Sequence, residues 1–137
     1  MKRFILVTLL GLLAAAIPML AHHSFAAEYD GTKPFKLTGA VTKVDWQNPH
    51  VYFYMDMEDA NGKVTNRSME MGAPGALRPS GWTKNTLKIG DVVTVEGTPA
   101  KDGGHHGNAR NVFLASTGQK LGAASSEGQT AAPKGKQ

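Results

Sequence analysis

Cysteine is missing from all 137 residues. That excludes disulfides, lipoprotein attachment and any thiol nucleophile. Clusters of basic residues are missing as well, and aromatic residues are few, so the electrostatic footprint of a nucleic-acid binder is absent. No Gly-x-Ser-x-Gly elbow occurs, and no glycine-rich loop leads from a strand into a helix to hold phosphate. Asp45 and Glu70 are the only carboxylates worth weighing as a pair, and nothing in their spacing joins them. The catalytic set is therefore empty, and the chain leans away from being an enzyme.

The apolar residues that are present are concentrated at the start. Met1-Lys2-Arg3 is followed by "FILVTLLGLLAAAIPML", uncharged from Phe4 to Leu20. A basic n-region, an apolar h-region and small residues near a cut read as a Sec-type secretory signal peptide over 1–21, hence export to the periplasm. A membrane anchor is the rival reading, since the stretch approaches the ~20 residues that span a bilayer. Gly11, the three alanines and Pro18 weaken it as a span, so no membrane segment is expected after cleavage. Cutting after Ala21 makes His22 the first mature residue; cutting after Ala26 discards both His22 and His23. Removing 1–21 takes away Lys2 and Arg3, so the formal charge falls from +4 to +2.

From Phe35 onward the pattern is of strands and turns. Leu37, Gly39 and Val41 share one parity and Val44 and Trp46 the other, which predicts a bulge or sharp bend in a first strand near Gly39. "HVYFYMDM" (50–57) alternates cleanly, with Val51, Phe53, Met55 and Met57 on one face. "DANGK" is a hairpin connection. A two-residue Asn61-Gly62 turn would turn Glu70 into the core, where an unpaired carboxylate costs several kcal/mol. A three-residue loop with Gly62 left-handed places Met69 and Met71 beside Phe53 and Met55 and leaves Asn66, Ser68 and Glu70 outside. Residues 72–87 are Gly- and Pro-rich, with room for a short helix or an irregular connection. "KIGDVVTVEGTPA" (88–100) turns into a fourth strand with Val93 and Val95 inward. "KDGGHHGN" (101–108) reads as a loop, and "ARNVFLAS" (109–116) as a fifth strand. The expected fold is all-β: a small five-stranded Greek-key barrel, OB-fold-like, over residues 22–116, with another small β-barrel or a sandwich as the alternative. Residues 117–137 are too poor in apolar side chains to pack and read as a disordered tail.

In such a barrel, the connection "WQNPH" and the glycine-rich loop flank the face that usually binds ligands. The candidate ligand face is Trp46, Asn48, His50, Tyr52, Tyr54 and Glu70. The five histidines, His22, His23, His50, His105 and His106, are candidate metal ligands, and imidazole suits copper, zinc and nickel. A mature His22 would chelate copper through its α-amine and its own imidazole, with one more histidine completing a histidine brace. Glu70 would add an oxygen. Each residue also has a plainer reading. His105 and His106 are solvated loop residues, His50 a turn residue, the Met-x-Met pairs core filler, and Tyr52 and Tyr54 cross-strand packing.

"HHSFAAEYD", "LTGAVTKVDWQNPH", "GALRPSGWTKNTLKIGDVVTVEG" and "NARNVFLASTGQKL" resemble a family of small exported bacterial proteins known only as a domain of unknown function. The likeness runs over about residues 21–121 and implies an exported β-rich domain. It carries no reaction, ligand or site residue with it. Three functions stay open: a periplasmic non-catalytic binding or accessory module for a small ligand or a periplasmic protein; a histidine-dependent copper or other transition-metal protein; and a metal-dependent redox enzyme. The cofactor is unknown, with copper the metal the histidines suit, and the oligomeric state is open.

Overall fold

The computed structural model describes residues 24–129. Residues 1–21, expected from sequence to be a signal peptide, lie outside the described residues together with His22 and His23, as do 130–137. Six strands run antiparallel in the order β3-β2-β1-β4-β5-β6, with β1 at Phe35–Asp45, β2 at Tyr52–Glu58, β3 at Val64–Glu70, β4 at Val92–Pro99, β5 at His106–Leu114 and β6 at Lys120–Gly122. A parallel pairing of β3 with β5 closes β1 to β5 into a five-stranded barrel. Among the described residues no helix is long and apolar enough to cross a membrane.

The long β1 makes closure possible by serving two partners. Its first half pairs with β4, from Phe35 opposite Gly97 to Ala40 opposite Val92. Its second half pairs with β2, and the register slips between Val41 and Lys43. That bulge is the parity switch visible in the sequence. At Gly39 the constraint is crowding: a Cβ there would stand 2.5 Å from the Asp56 carbonyl oxygen. Only glycine lets β1 pass this close to β2 while it turns.

The β2–β3 hairpin has the three-residue loop that its sequence requires. Asp59 donates its N–H to Lys63 O at 3.0 Å, and Gly62 sits at φ 79°. The Asp59 carboxylate accepts from the N–H groups of Asn61 and Lys63 at 2.8 and 3.0 Å, which fixes the turn. Phe53 then opposes Met69, and Tyr52 opposes Glu70. Phe53, Met55 and Met69 are fully buried, with Met71 beside them, as core filler. Val93 and Val95 complete the interior from β4. Between β3 and β4 the chain makes one short helix (Pro74–Leu77) and a 3₁₀ turn (Arg78–Ser80). Leu77 and Trp82 are buried from this connection.

Two boundaries differ from the sequence reading. β5 begins at His106, not at 109, so the end of the glycine-rich "loop" is strand. Residues 106–108 pair with β3 on one side and with Thr98 and Pro99 of β4 on the other. Backbone pairing on both sides outweighs the weak strand preference of glycine. The second difference is at 117–129, which is not a disordered tail. β6 pairs with Asn111 to Phe113, and Leu121 and Ala123 are buried. Few apolar side chains are needed, because directed hydrogen bonds do the holding. Trp82 Nε1 donates to Gly122 O at 2.8 Å, and Gly72 N to Ala123 O at 2.9 Å. Arg110 forms a two-pronged pair with Glu127 at 2.6–2.8 Å. The domain therefore extends at least to 129.

Trp82→Phe keeps the ring packing but leaves the Gly122 carbonyl without its donor. Urea unfolding is expected to show a loss of about 1–3 kcal/mol. Limited proteolysis is expected to cut after residue 117 faster than in the wild type; unchanged cutting would contradict this anchoring.

Candidate functional site

The outer faces of β2, β3 and β5 meet at Glu70. Strand alternation turns Glu70 away from the barrel interior, as the hairpin register requires, yet it is only 5% exposed. The expectation that Glu70 lies outside is thus half right. It is outside the barrel core but beneath two further layers: the N-terminal segment with α1 (Phe25–Glu28), and the stretch around Ser125 that leads into a 3₁₀ turn at Ser126–Gln129.

Four groups from four places reach its carboxylate, three as hydrogen-bond donors and His50 as an ion-pair contact. Tyr29, just after α1, and Tyr52 of β2 donate their hydroxyls to Oε2 at 2.9 and 2.8 Å. His50 Nδ1 lies 3.1 Å from Oε1, and Asn108 Nδ2 of β5 lies 3.3 Å from the same oxygen. A carboxylate offers about four acceptor positions, so the oxygens are fully committed. The cost of burying the charge is offset at each of them. Asn108 is itself buried at 1% and accepts from Ser125 Oγ, which ties the C-terminal segment into the cluster.

His50 turns its Nδ1 toward Glu70 Oε1, and the geometry of the imidazole ring points Nε2 away from that carboxylate. The side chain is 33% exposed, against 6% for Glu70. A carboxylate behind one imidazole nitrogen is how proteins orient histidines toward metals and ligands.

The other candidates fall around this cluster. Trp46 is half-buried and packs on the core; Asn48, exposed, precedes a cis bond to Pro49. Tyr54 is half-buried, with Lys43 Nζ 5.0 Å from its ring centre, and Lys43 is in turn held by Asp45 at 2.8 Å. One face of that ring is thereby covered. His106 lies edge-on to Tyr29, with ring centres 6.5 Å apart, and 3.6 Å from Asp102. His105 is exposed, and its backbone carbonyl accepts from Ser68 N at 3.0 Å. His50 and His106 thus border the same cluster through Glu70 and Tyr29. Among the described residues, no three histidine or acidic side chains come close enough to hold a metal ion. Glu70, considered from sequence as an added oxygen ligand, has its oxygens occupied by hydrogen bonds.

Tyr29 and Asn108 are the members that sequence reading missed. Tyr29 precedes the strands, and Asn108 stood in what looked like a loop. The one signal was a buried-type residue, tyrosine, inside the otherwise polar "AEYD".

The chain belongs to a family of unknown function, DUF6152, which matches residues 9–110. Among curated proteins, no match to the chain is found.

Burial, together with the negative charge and hydrogen bond of Glu70, pushes the Tyr29 and Tyr52 hydroxyls well above the ordinary tyrosine range. Their ionisation in the unfolded chain, near pH 10, is suppressed in the folded one. Stability is therefore intact below about pH 10 and falls as pH rises above it, because only the unfolded state releases these protons. Absorbance at 295 nm and circular dichroism followed together are expected to show at most one of the three tyrosines ionising before unfolding. Two or more tyrosinates in the folded protein would contradict the cluster.

Proposed function

We propose that this chain is an exported periplasmic, non-catalytic binding or accessory module. Its ligand face is the barrel surface carrying Trp46, Asn48, His50, Tyr52 and Tyr54, with Glu70 beneath. The observation that carries the reading is the full commitment of Glu70 as an acceptor. A buried carboxylate that accepts three hydrogen bonds and faces an imidazole acts as a brace for its neighbours and is poorly placed to take a substrate proton. What the brace presents is a fixed, partly exposed imidazole beside half-buried aromatic residues, between the loop that ends at His50 and the loop at 101–105. Such a surface suits a small ligand or a periplasmic protein partner. Export rests on the composition of residues 1–21.

A second reading draws on the orientation of His50. With Nδ1 against Glu70, the Nε2 on the far side of the ring is a ready ligand for copper or another transition metal. His22 and His23 are the residues that would complete the site if cleavage after Ala21 leaves His22 at the mature terminus, with His105 and His106 as further candidates.

Native mass spectrometry of protein recovered from the periplasm, before and after one equivalent of Cu(II), separates these readings. A mass beginning at His22 or Ala27 supports export, and an intact Met1 terminus overturns it. The binding-module reading expects no retained copper, or copper retained equally by His50→Ala. Copper held by the wild type and lost in His50→Ala overturns it in favour of the metal reading.

A further inference from the structure

Of the four groups on Glu70, three belong to the barrel and its connections: Tyr52 on β2, His50 just before it, and Asn108 on β5. Tyr29 comes from outside it, on a segment that lies over Glu70. That segment is attached lightly. Tyr29 makes a single antiparallel bridge to Ala100, flanked by Asp30 N to Pro99 O and Lys101 N to Glu28 O, each 2.9 Å. Lys101 Nζ adds a hydrogen bond to Ala26 O. Phe25, Tyr29 and Ala100 form a small apolar cluster of their own, separate from the barrel core. A shallow open hollow of about 550 Å³, lined by Ala27, Glu28, Lys101 and Asp102, runs along its flank. At its far end the segment turns on Asp30, whose carboxylate accepts from Thr32 N and Thr32 Oγ1 at 3.1 and 2.6 Å. A segment with its own minor cluster and few strand hydrogen bonds opens at a lower free energy than the domain unfolds.

We infer that residues 24–30 are a displaceable strap, that its Tyr29 hydroxyl fills a donor site on Glu70, and that the chemistry able to replace it is a phenol. When the strap lifts, Glu70 keeps Tyr52, His50 and Asn108, so the barrel side of the site stays formed. Oε2 loses one donor and the space of one ring opens beside His106. A phenol restores both: its ring takes the place of Tyr29 and its hydroxyl donates to Oε2. A primary amine would supply the donor but not the ring. The strap is thus an internal occupant of the face proposed above to bind ligand. The inference rests on that reading for its purpose, while its test involves neither copper nor Nε2 of His50, so the two fail separately.

Two measurements test it. In the wild type, amide hydrogen exchange at Asp30 and Lys101 is expected to be about a hundredfold faster than at Val95 and insensitive to low denaturant, the mark of local opening. In the variant with Glu28→Cys and Lys101→Cys, a cross-strand pair in a chain with no other cysteine, oxidation is expected to slow Asp30 exchange. Equal rates at Asp30 and Val95 would overturn the strap. In Tyr29→Gly, p-cresol is expected to shift the amides of Glu70, Tyr52 and Asn108 saturably, about tenfold or more tighter than toluene, which lacks the donor. The peptide Ser-Phe-Ala-Ala-Glu-Tyr-Asp, added in parallel, distinguishes a phenol on an extended segment from a free one, according to which of the two binds more tightly. Toluene binding as well as p-cresol, or a folded variant that binds neither phenol, would overturn the donor site. Should Tyr29→Gly fail to fold, the exchange measurement on the wild type and the locked form still decides.

Discussion

A carboxylate buried outside the barrel core sets the terms for most of this structure. Glu70 ends β3 on the outer face, and its charge is tolerable there only if every acceptor position is met. Meeting them draws in Tyr29 from before the first strand, His50 and Tyr52 from the entry to β2, and Asn108 from β5. Asn108 in turn engages the C-terminal segment through Ser125. A single anion thus joins pieces of chain that share few apolar contacts. The barrel supplies the rigid strands, and the polar joint fixes what lies over them. In a domain this small, the apolar interior alone leaves a narrow margin of stability.

The same constraint shows how far the sequence could be read. The strands of the barrel interior were legible because alternation and turn chemistry agree: the bulge after Val41, the left-handed Gly62, and the methionines facing Phe53. The register followed from the cost of burying Glu70 unpaired, and it is correct. The sequence does not show that a residue excluded from one core can be buried by a second layer. That layer is built from Tyr29 and from residues 117–129, whose order depends on backbone hydrogen bonds to Trp82, Gly72 and Arg110 and on very few apolar side chains. Hydropathy patterns register apolar burial and are blind to such anchoring. His106 to Asn108 were misread for a related reason. Glycine punctuates loops in sequence, but at Gly107 it serves a close approach to Thr98 and Phe35 in the paired barrel.

For function, the cluster redistributes the candidate residues. Glu70 moves from possible ligand to positioning residue, since it lies against His50 Nδ1. Tyr52 shares that role, because its hydroxyl is spent on the same carboxylate. Trp46, Asn48, Tyr54 and His50 are the groups left to the proposed ligand face. Tyr29 is the addition that changes the picture most, because it brings an otherwise separate segment onto Glu70.

The central claim is that Glu70 and its donors act as one unit, and a double-mutant cycle on unfolding free energy tests it most directly. Tyr29→Phe and Glu70→Gln would be measured singly and together by urea denaturation. The account predicts that the two losses are not additive, with a coupling of about 1–3 kcal/mol, because Tyr29→Phe removes a hydrogen bond whose charged acceptor Glu70→Gln replaces with a neutral amide. Losses that add to within about 0.5 kcal/mol would show that Tyr29 is held by its ring packing alone, and the carboxylate would no longer explain why the N-terminal segment lies where it does.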